Sequence, residues 1–118
     1  FILYNGICAV ESGGNFIVDE GGIFRMNHTW NPTMNINGTL TVVGTIYLNI
    51  GELNVGSGGY IHMRGTLHVN SGGELNVTAG KITVYNTGTL TVDGTVHVNE
   101  KGKFTTIGDL TVNSGGNI

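Results

Sequence analysis

The sequence predicts an all-β protein, a single-domain parallel β-solenoid in which short strands coil in one direction around a narrow core. Three observations predict this fold. A short motif recurs along nearly the whole chain, apolar and polar residues alternate inside each copy, and glycine opens almost every copy. Strict alternation over five or six residues is typical of half-buried β-strands, and a short recurring unit is typical of solenoids.

The repeat unit is Gly-x-Φ-x-Φ-x, in which Φ is an apolar residue. Its clear copies begin at Gly38, Gly65, Gly73, Gly88 and Gly108. Aligned on this frame, fifteen of sixteen units start with Gly and one starts with Pro32, and only Thr106 interrupts the apolar residues of the thirty Φ positions. Glycine adopts positive φ without steric cost, so each unit is predicted to be one strand and one corner.

The number of units in one coil has two solutions. Most consecutive triplets of units in the second half span 21 or 22 residues, whereas pairs of units span 14 or 15. We expect the three-sided coil of 21–22 residues, because two facing rows of Leu and Val would leave a very thin core. The alternative is a flattened two-sided coil. The three-sided form gives about five coils, each rising ~4.8 Å.

Residues 1–37 form an irregular, apolar N-terminal portion, and residues 38–118 form the regular repeats. In the first units even the outward positions are apolar, and a lone solenoid should not expose such strands. Two interpretations stay open, a local cap in which residues 27–32 fold over this surface, or a protein interface. The predicted assembly interface consists of Phe1, Ile2, Leu3, Tyr4, Ile7, Ile17, Ile23, Trp30 and Ile118.

Both ends of the sequence interrupt a repeat and carry no evident capping segment. Uncapped coils expose strand edges that template further pairing, and head-to-tail contacts that do not close produce filaments. We therefore expect self-assembly into a homopolymer, which a polar substitution at Ile17 or Ile23 should impair. A fragment of a longer solenoid would show the same features.

The runs Gly-Thr-Leu-Thr-Val-Asp, Gly-Glu-Leu-Asn-Val and Asn-Ser-Gly-Gly are examples of the repeat pattern that extends over nearly the whole chain. They resemble the parallel β-helix repeat regions of secreted bacterial and archaeal surface proteins, including autotransporter passengers, haemagglutinin-like adhesins and phage tail fibres. The resemblance implies the architecture and a secreted, extracellular or cell-surface location, but it transfers no functional residues. Curli-type repeats differ at the internal positions, and hexapeptide acyltransferases keep a stricter six-residue period.

The outward positions from residue 38 onward contain no aliphatic residue, which favours a solvated β-surface. Ice binding is a minor alternative, because the three-sided register stacks Thr45, Thr66 and Thr89 in one column. The column beside it is not uniform, however, and Asp109 ends the threonine column. A surface that matches the ice lattice should be monotonous.

Glu52 and Glu74 are weak metal candidates. They lie three units apart, so the three-sided register places one directly above the other, where like charges repel unless a cation such as Ca²⁺ lies between them. His62 and His68 fall on different faces, and zinc needs three or four converging ligands. We expect no other cofactor.

Composition excludes several classes of protein. The five Lys and Arg residues are scattered in a chain of net charge −3, so no basic patch for nucleic acid is present. No run of 18 apolar residues could form a membrane-spanning helix. Cys8 is the only cysteine and occupies a Φ position, where we expect it to be buried. Turns of a few residues cannot wall a catalytic cleft and no phosphate-binding motif occurs, so an enzyme is not expected.

The sequence thus predicts a structural subunit of an extracellular or cell-surface filament or sheath that assembles end to end. The alternative is a passenger segment of an adhesin or phage fibre, which would present its Thr, Tyr, His and Asn side chains to glycans.

Overall fold

A computed structural model of the chain describes residues 2–3, 7–26, 32–113, 115–116 and 118, of which residues 2, 3 and 7 are described by their backbone alone. These residues form fourteen β-strands and no helix, and therefore no helix that could cross a membrane. The strands are β1 (Ile2–Leu3), β2 (Ile7–Val10), β3 (Asn15–Val18), β4 (Ile23–Met26), β5 (Thr33–Ile36), β6 (Thr39–Val42), β7 (Thr45–Val55), β8 (Tyr60–Met63), β9 (Thr66–Val77), β10 (Lys81–Val84), β11 (Thr89–Val92), β12 (Thr95–Val98), β13 (Lys103–Thr106) and β14 (Asp109–Val112).

The strands stack into three faces, so the predicted three-sided parallel β-solenoid of about five coils is confirmed. The first face contains β3, β6, β8, β10 and β13. The second face contains β1, β4, β11, β14 and the first halves of β7 and β9. The third face contains β2, β5, β12 and the second halves of β7 and β9, because these two long strands run through a corner.

The strand register excludes the flattened coil. All strand pairs are parallel, and their paired residues are 19 to 26 positions apart, never 14 or 15. The widest offset, 26 residues, joins Ile7 to Thr33. From Thr39 to Lys81 each step on the first face is 21 residues, as the repeat spacing predicts.

The Φ side chains fill one continuous core between the three faces. Leu40, Ile61, Leu75 and Leu90 are fully buried, whereas their outward-pointing neighbours are partly exposed. Cys8 is only partly buried against this core, contrary to expectation, because it lies in the first described coil and has no complete coil beneath it. Alternation in the sequence therefore sets which side chains point inward, and position along the axis sets how deeply they are buried.

Candidate functional site

A row of parallel rings lies on the first face and is here called the aromatic row (Tyr60, His62 and Tyr85, with Lys81 and Arg64 at its two ends). The Tyr60 and His62 rings stack with centroids 3.9 Å apart, and the His62 and Tyr85 rings follow at 5.8 Å. The Lys81 ammonium lies 5.3 Å from the Tyr60 centroid, and the Arg64 guanidinium lies 4.5 Å from the Tyr85 centroid. Cation–π attraction therefore closes both ends of the row.

The strand register assembles the aromatic row. Tyr60 and His62 are alternate residues of β8 and so point to the same side of the sheet. Lys81 is paired with Tyr60 on the neighbouring strand β10, and Tyr85 follows the end of that strand. One coil step thus brings together residues from two strands and one corner.

The polar atoms of the aromatic row form a hydrogen-bonded network. The Tyr60 hydroxyl lies 3.1 Å from the Thr83 hydroxyl and 3.5 Å from that of Tyr85. The Tyr85 hydroxyl lies 3.0 Å from Nδ1 of His62. Thr83, although it points outward, is buried beneath these side chains. The rings cover the Thr83 hydroxyl, and the network gives this buried hydroxyl a hydrogen-bond partner.

Three side chains of the network have shifted pKa values. The hydrogen bond with Thr83 is the main cause that lowers the pKa of Tyr60, and the hydrogen bond with Tyr60 raises the pKa of Tyr85. Partial burial, followed by the charges of Arg64 and Lys81, lowers the pKa of His62. His62 therefore resists protonation in the folded protein, and Tyr60 would ionise before Tyr85.

We expect His62 to make the folded protein less stable in mild acid. Because its pKa is lower in the folded state than the usual ~6.5 of an unfolded chain, the unfolded state binds a proton first and stability falls as the pH drops through that value. Urea unfolding at pH 8 and pH 5 should show a loss of stability that is smaller in His62→Gln. An equal loss in both proteins would contradict this role of His62.

The rings of the aromatic row stack on one another, so the ring faces inside the row are covered by neighbouring rings. A cation lies over the ring at each end of the row. A sugar ring stacks on an open aromatic face, and this arrangement offers none. Glycan binding through these residues stays a prediction. The sequence predicted a solvated β-surface here and did not predict the row, although three repeat units separate Gly59, which precedes Tyr60, from Gly80, which precedes Lys81.

The second face carries the threonine column that the register predicted. Thr45 pairs with Thr66, Thr66 pairs with Thr89, and Asp109 follows at the end of the column. The neighbouring column is not uniform, because the Tyr47 and His68 rings stack at 5.0 Å with Arg25 over Tyr47. These bulky side chains interrupt the flat threonine surface on which the ice-binding alternative depends.

The third face places Glu52 directly opposite Glu74, as predicted. Nε2 of His97 lies 3.6 Å from a carboxylate oxygen of Glu74. The two carboxylates line a shallow depression of about 440 Å³ together with Thr33, Ser71, Thr95 and the glycines at 51, 72 and 73. Within the described ranges, no group of three His, Cys, Asp or Glu side chains is arranged to hold a metal ion. Calcium between the two carboxylates stays a prediction.

A ladder of asparagine side chains runs beside the two carboxylates. Asn54 donates to Asn35 at 3.1 Å, and Asn76 donates to Asn54 at 2.9 Å. His97 is the next residue of this column. Each amide thus spans one coil step, and the ladder holds neighbouring coils together on the outside of the solenoid.

Only part of the predicted assembly interface lies within the described residues. Ile17, Ile23 and Ile118 are exposed, with 60%, 41% and 56% of their surface accessible. Ile2 and Leu3 lie in β1 and Ile7 begins β2, whereas Phe1, Tyr4 and Trp30 lie outside the described residues. Ile17 and Ile23 flank the corner between β3 and β4 and line one shallow depression there.

The last coil exposes side chains that are core residues in every inner coil. Val98, Leu110 and Val112 are 39%, 36% and 45% exposed. Their paired residues one coil earlier, Val77, Leu90 and Val92, are all completely buried. Among the described strands, β12, β13 and β14 each pair on one side only. Among the described residues, the last coil therefore presents apolar side chains and unpaired strand edges on one side.

No protein-family model matches the chain, and no curated protein or solved structure is significantly similar to it. The fold agrees with the parallel β-helix architecture that the sequence resemblance implies. The relationship to bacterial and archaeal surface proteins stays a prediction.

Proposed function

We propose that the protein is a non-enzymatic structural subunit, at the cell surface or outside the cell, that extends by stacking coil upon coil with other copies of itself. The single observation that carries the proposal is the continuity of the core columns: Val98, Leu110 and Val112 lie directly above fully buried residues, so a further coil of the same repeat would continue the stack. Open strand edges of this kind template further pairing.

The free energy for such stacking comes from two sources. Fully burying an aliphatic side chain stabilises a protein by about 1.5–3 kcal/mol, so covering the three partly exposed side chains contributes roughly 1 kcal/mol each. The open edges of β12, β13 and β14 would also gain backbone hydrogen bonds, which contribute about 1 kcal/mol each. The ordering of both chains opposes these terms, so several strands must pair together for stable growth.

The first described coil would contribute to stacking in a different way from the last described coil, because it does not simply continue the core. Val18 and Phe24 in the first described coil are buried, so among the described residues this side shows less open core than the last described coil does. It supplies instead the edges of β2 and β3, each of which pairs with one described strand, and the exposed side chains of Ile17 and Ile23. Contact between two such unlike surfaces is head-to-tail and leads to a filament.

The proposal predicts that an acidic residue at position 112 stops assembly. In Val112→Asp a charge would be buried between stacked coils, so the length of filaments seen by negative-stain microscopy should fall at least tenfold. Thr111→Asp is the matched control, because it adds the same charge on the same strand but on the outward side.

Ile17→Asp tests the predicted apolar docking surface on the outward side of β3 and should also shorten filaments. Circular dichroism should show that all three variants keep their β-structure. A wild-type protein that stays monomeric at every concentration in sedimentation would overturn the proposal, as would filaments that Thr111→Asp and Val112→Asp affect equally.

A further inference from the structure

Two faces of the solenoid carry opposite charge. On the first face, Lys81 of β10 pairs directly with Lys103 of β13, and Arg64 lies at the end of the aromatic row. The outward positions of the five first-face strands contain no Asp or Glu. On the third face, Glu52 pairs directly with Glu74, and no strand of that face contains Lys or Arg. We call these surfaces the basic face (outward side of β8, β10 and β13) and the acidic face (outward side of β5, β12 and the second halves of β7 and β9).

Each face places two like charges on neighbouring strands, directly opposite each other. Such pairs destabilise a sheet. Lys81 interacts with the Tyr60 ring, and Glu74 lies near His97. Across the described part of the chain, however, no carboxylate lies within ion-pair distance of either lysine, and no lysine or arginine lies within that distance of either glutamate. Both electrostatic costs would be relieved by an opposing surface of opposite charge.

The spacing of the two pairs is the same. Lys81 to Lys103 and Glu52 to Glu74 are both one coil step of 22 residues, which corresponds to a rise of ~4.8 Å along the axis. Two solenoids lying side by side can therefore bring both lysines of one copy to both glutamates of the other at once. The long, flexible lysine side chains can reach across, and no strand needs to change register.

We propose that the basic face of one copy binds the acidic face of a second copy, so that solenoids associate laterally. The two surfaces are different, so each copy can bind one neighbour on each side and the contact propagates into a sheet or bundle. Lateral association goes beyond end-to-end growth, since it uses different residues and a different direction.

The small area of the lateral contact determines whether single copies or only filaments associate stably. Five coils at ~4.8 Å and strands of four residues at ~3.3 Å each give a face of roughly 300 Å² per copy. A stable interface needs about 800 Å² per partner. One pair of copies therefore associates weakly, and aligned copies in a filament associate strongly because their contacts act together. Lateral growth should follow filament growth.

Charge reversal tests the proposal. Lys81→Glu/Lys103→Glu makes both faces acidic, and Glu52→Lys/Glu74→Lys makes both faces basic, so each variant should form filaments of single width. The variant with all four reversals restores complementary faces and should bundle like the wild type, although it keeps like-charged pairs within each face. Bundle width in negative stain should also fall in ~1 M salt, where charges are screened beyond about 3 Å.

Carbodiimide cross-linking supplies a measurement that does not depend on filaments. Isotopically light and heavy chains are mixed at the highest concentration at which they stay dispersed, and joined peptides are identified by mass spectrometry. We expect light–heavy links from Lys81 or Lys103 to Glu52 or Glu74, which disappear in high salt.

The outcomes separate lateral association from end-to-end growth. Bundles whose width is unchanged by either double reversal, or an absence of these cross-links, would overturn the lateral contact while leaving end-to-end growth intact. Loss of filaments in Val112→Asp with cross-links retained would support both. Widening of wild-type filaments only when an acidic polysaccharide is added would assign the basic face to that polymer and overturn self-association.

Discussion

Gly65→Ala should be among the most destabilising single substitutions in the protein. A Cβ atom at position 65 would lie 2.1 Å from the carbonyl oxygen of Gly44 and 2.3 Å from that of Val43. Both are backbone atoms of the coil below, and the Gly44 oxygen also accepts a hydrogen bond from the backbone N–H of Thr66 at 2.9 Å. The overlap can be relieved only if two coils move apart. We therefore expect the free energy of unfolding to fall by about 3 kcal/mol or more. Thermal unfolding should begin roughly 10 °C lower.

Gly13→Ala is the matched control for that substitution. Gly13 has a positive φ of 83°, and a Cβ atom there would meet no atom within 4 Å. Alanine there would lower the free energy of unfolding only by the penalty for a left-handed backbone conformation, about 1–2 kcal/mol. If Gly13→Ala lowers the free energy of unfolding as much as Gly65→Ala does, backbone conformation rather than close coil stacking determines the need for glycine at the corners.

Leu90→Ala should cost several times more stability than Leu110→Ala, although the two leucines are paired residues of one column. Leu90 is completely buried between the coils of Leu67 and Leu110, whereas Leu110 is 36% exposed. Truncation of a buried leucine leaves a cavity and costs about 2.7–5 kcal/mol, so we expect roughly 3–4 kcal/mol at position 90. At position 110 we expect about 1 kcal/mol, because part of the side chain is already in contact with water.

Urea unfolding of dilute, dispersed protein measures this difference. Equal losses at positions 90 and 110 under those conditions would show that the last coil is covered in the single chain, contrary to the exposed end described above. Repeating the measurement on assembled protein gives a second comparison. If another copy covers the last coil, the difference between the two substitutions should shrink as Leu110 becomes buried.

The register of the solenoid was predictable because the repeat length sets it. Once three units make one coil, Glu52 must lie opposite Glu74, and Thr45, Thr66 and Thr89 must form one column. The buried columns follow in the same way from the alternation of apolar residues. A chain that coils in one direction with a nearly constant step leaves no freedom in which strands become neighbours.

The corners were less predictable than the strands. The repeat places separate strands before and after the glycines at 51 and 73, yet β7 and β9 run through these corners as single long strands. Their pairing changes register between Leu48 and Ile50, which is the signature of a β-bulge. Sequence spacing shows that the chain must turn there, but both a bulge and a separate turn satisfy that spacing.

The sequence by itself determined the all-β solenoid and its inward and outward positions, because these depend only on period and alternation. It favoured three sides, but the strand register decided against the flattened coil. The tertiary structure alone decided the features that depend on side-chain conformation and on position along the axis. The stacking of Tyr60, His62 and Tyr85 requires three rings to adopt matching orientations across a strand and a corner. Val112 is exposed whereas its paired residue Val92 is buried, a difference that depends on position along the axis and that no repeat unit encodes.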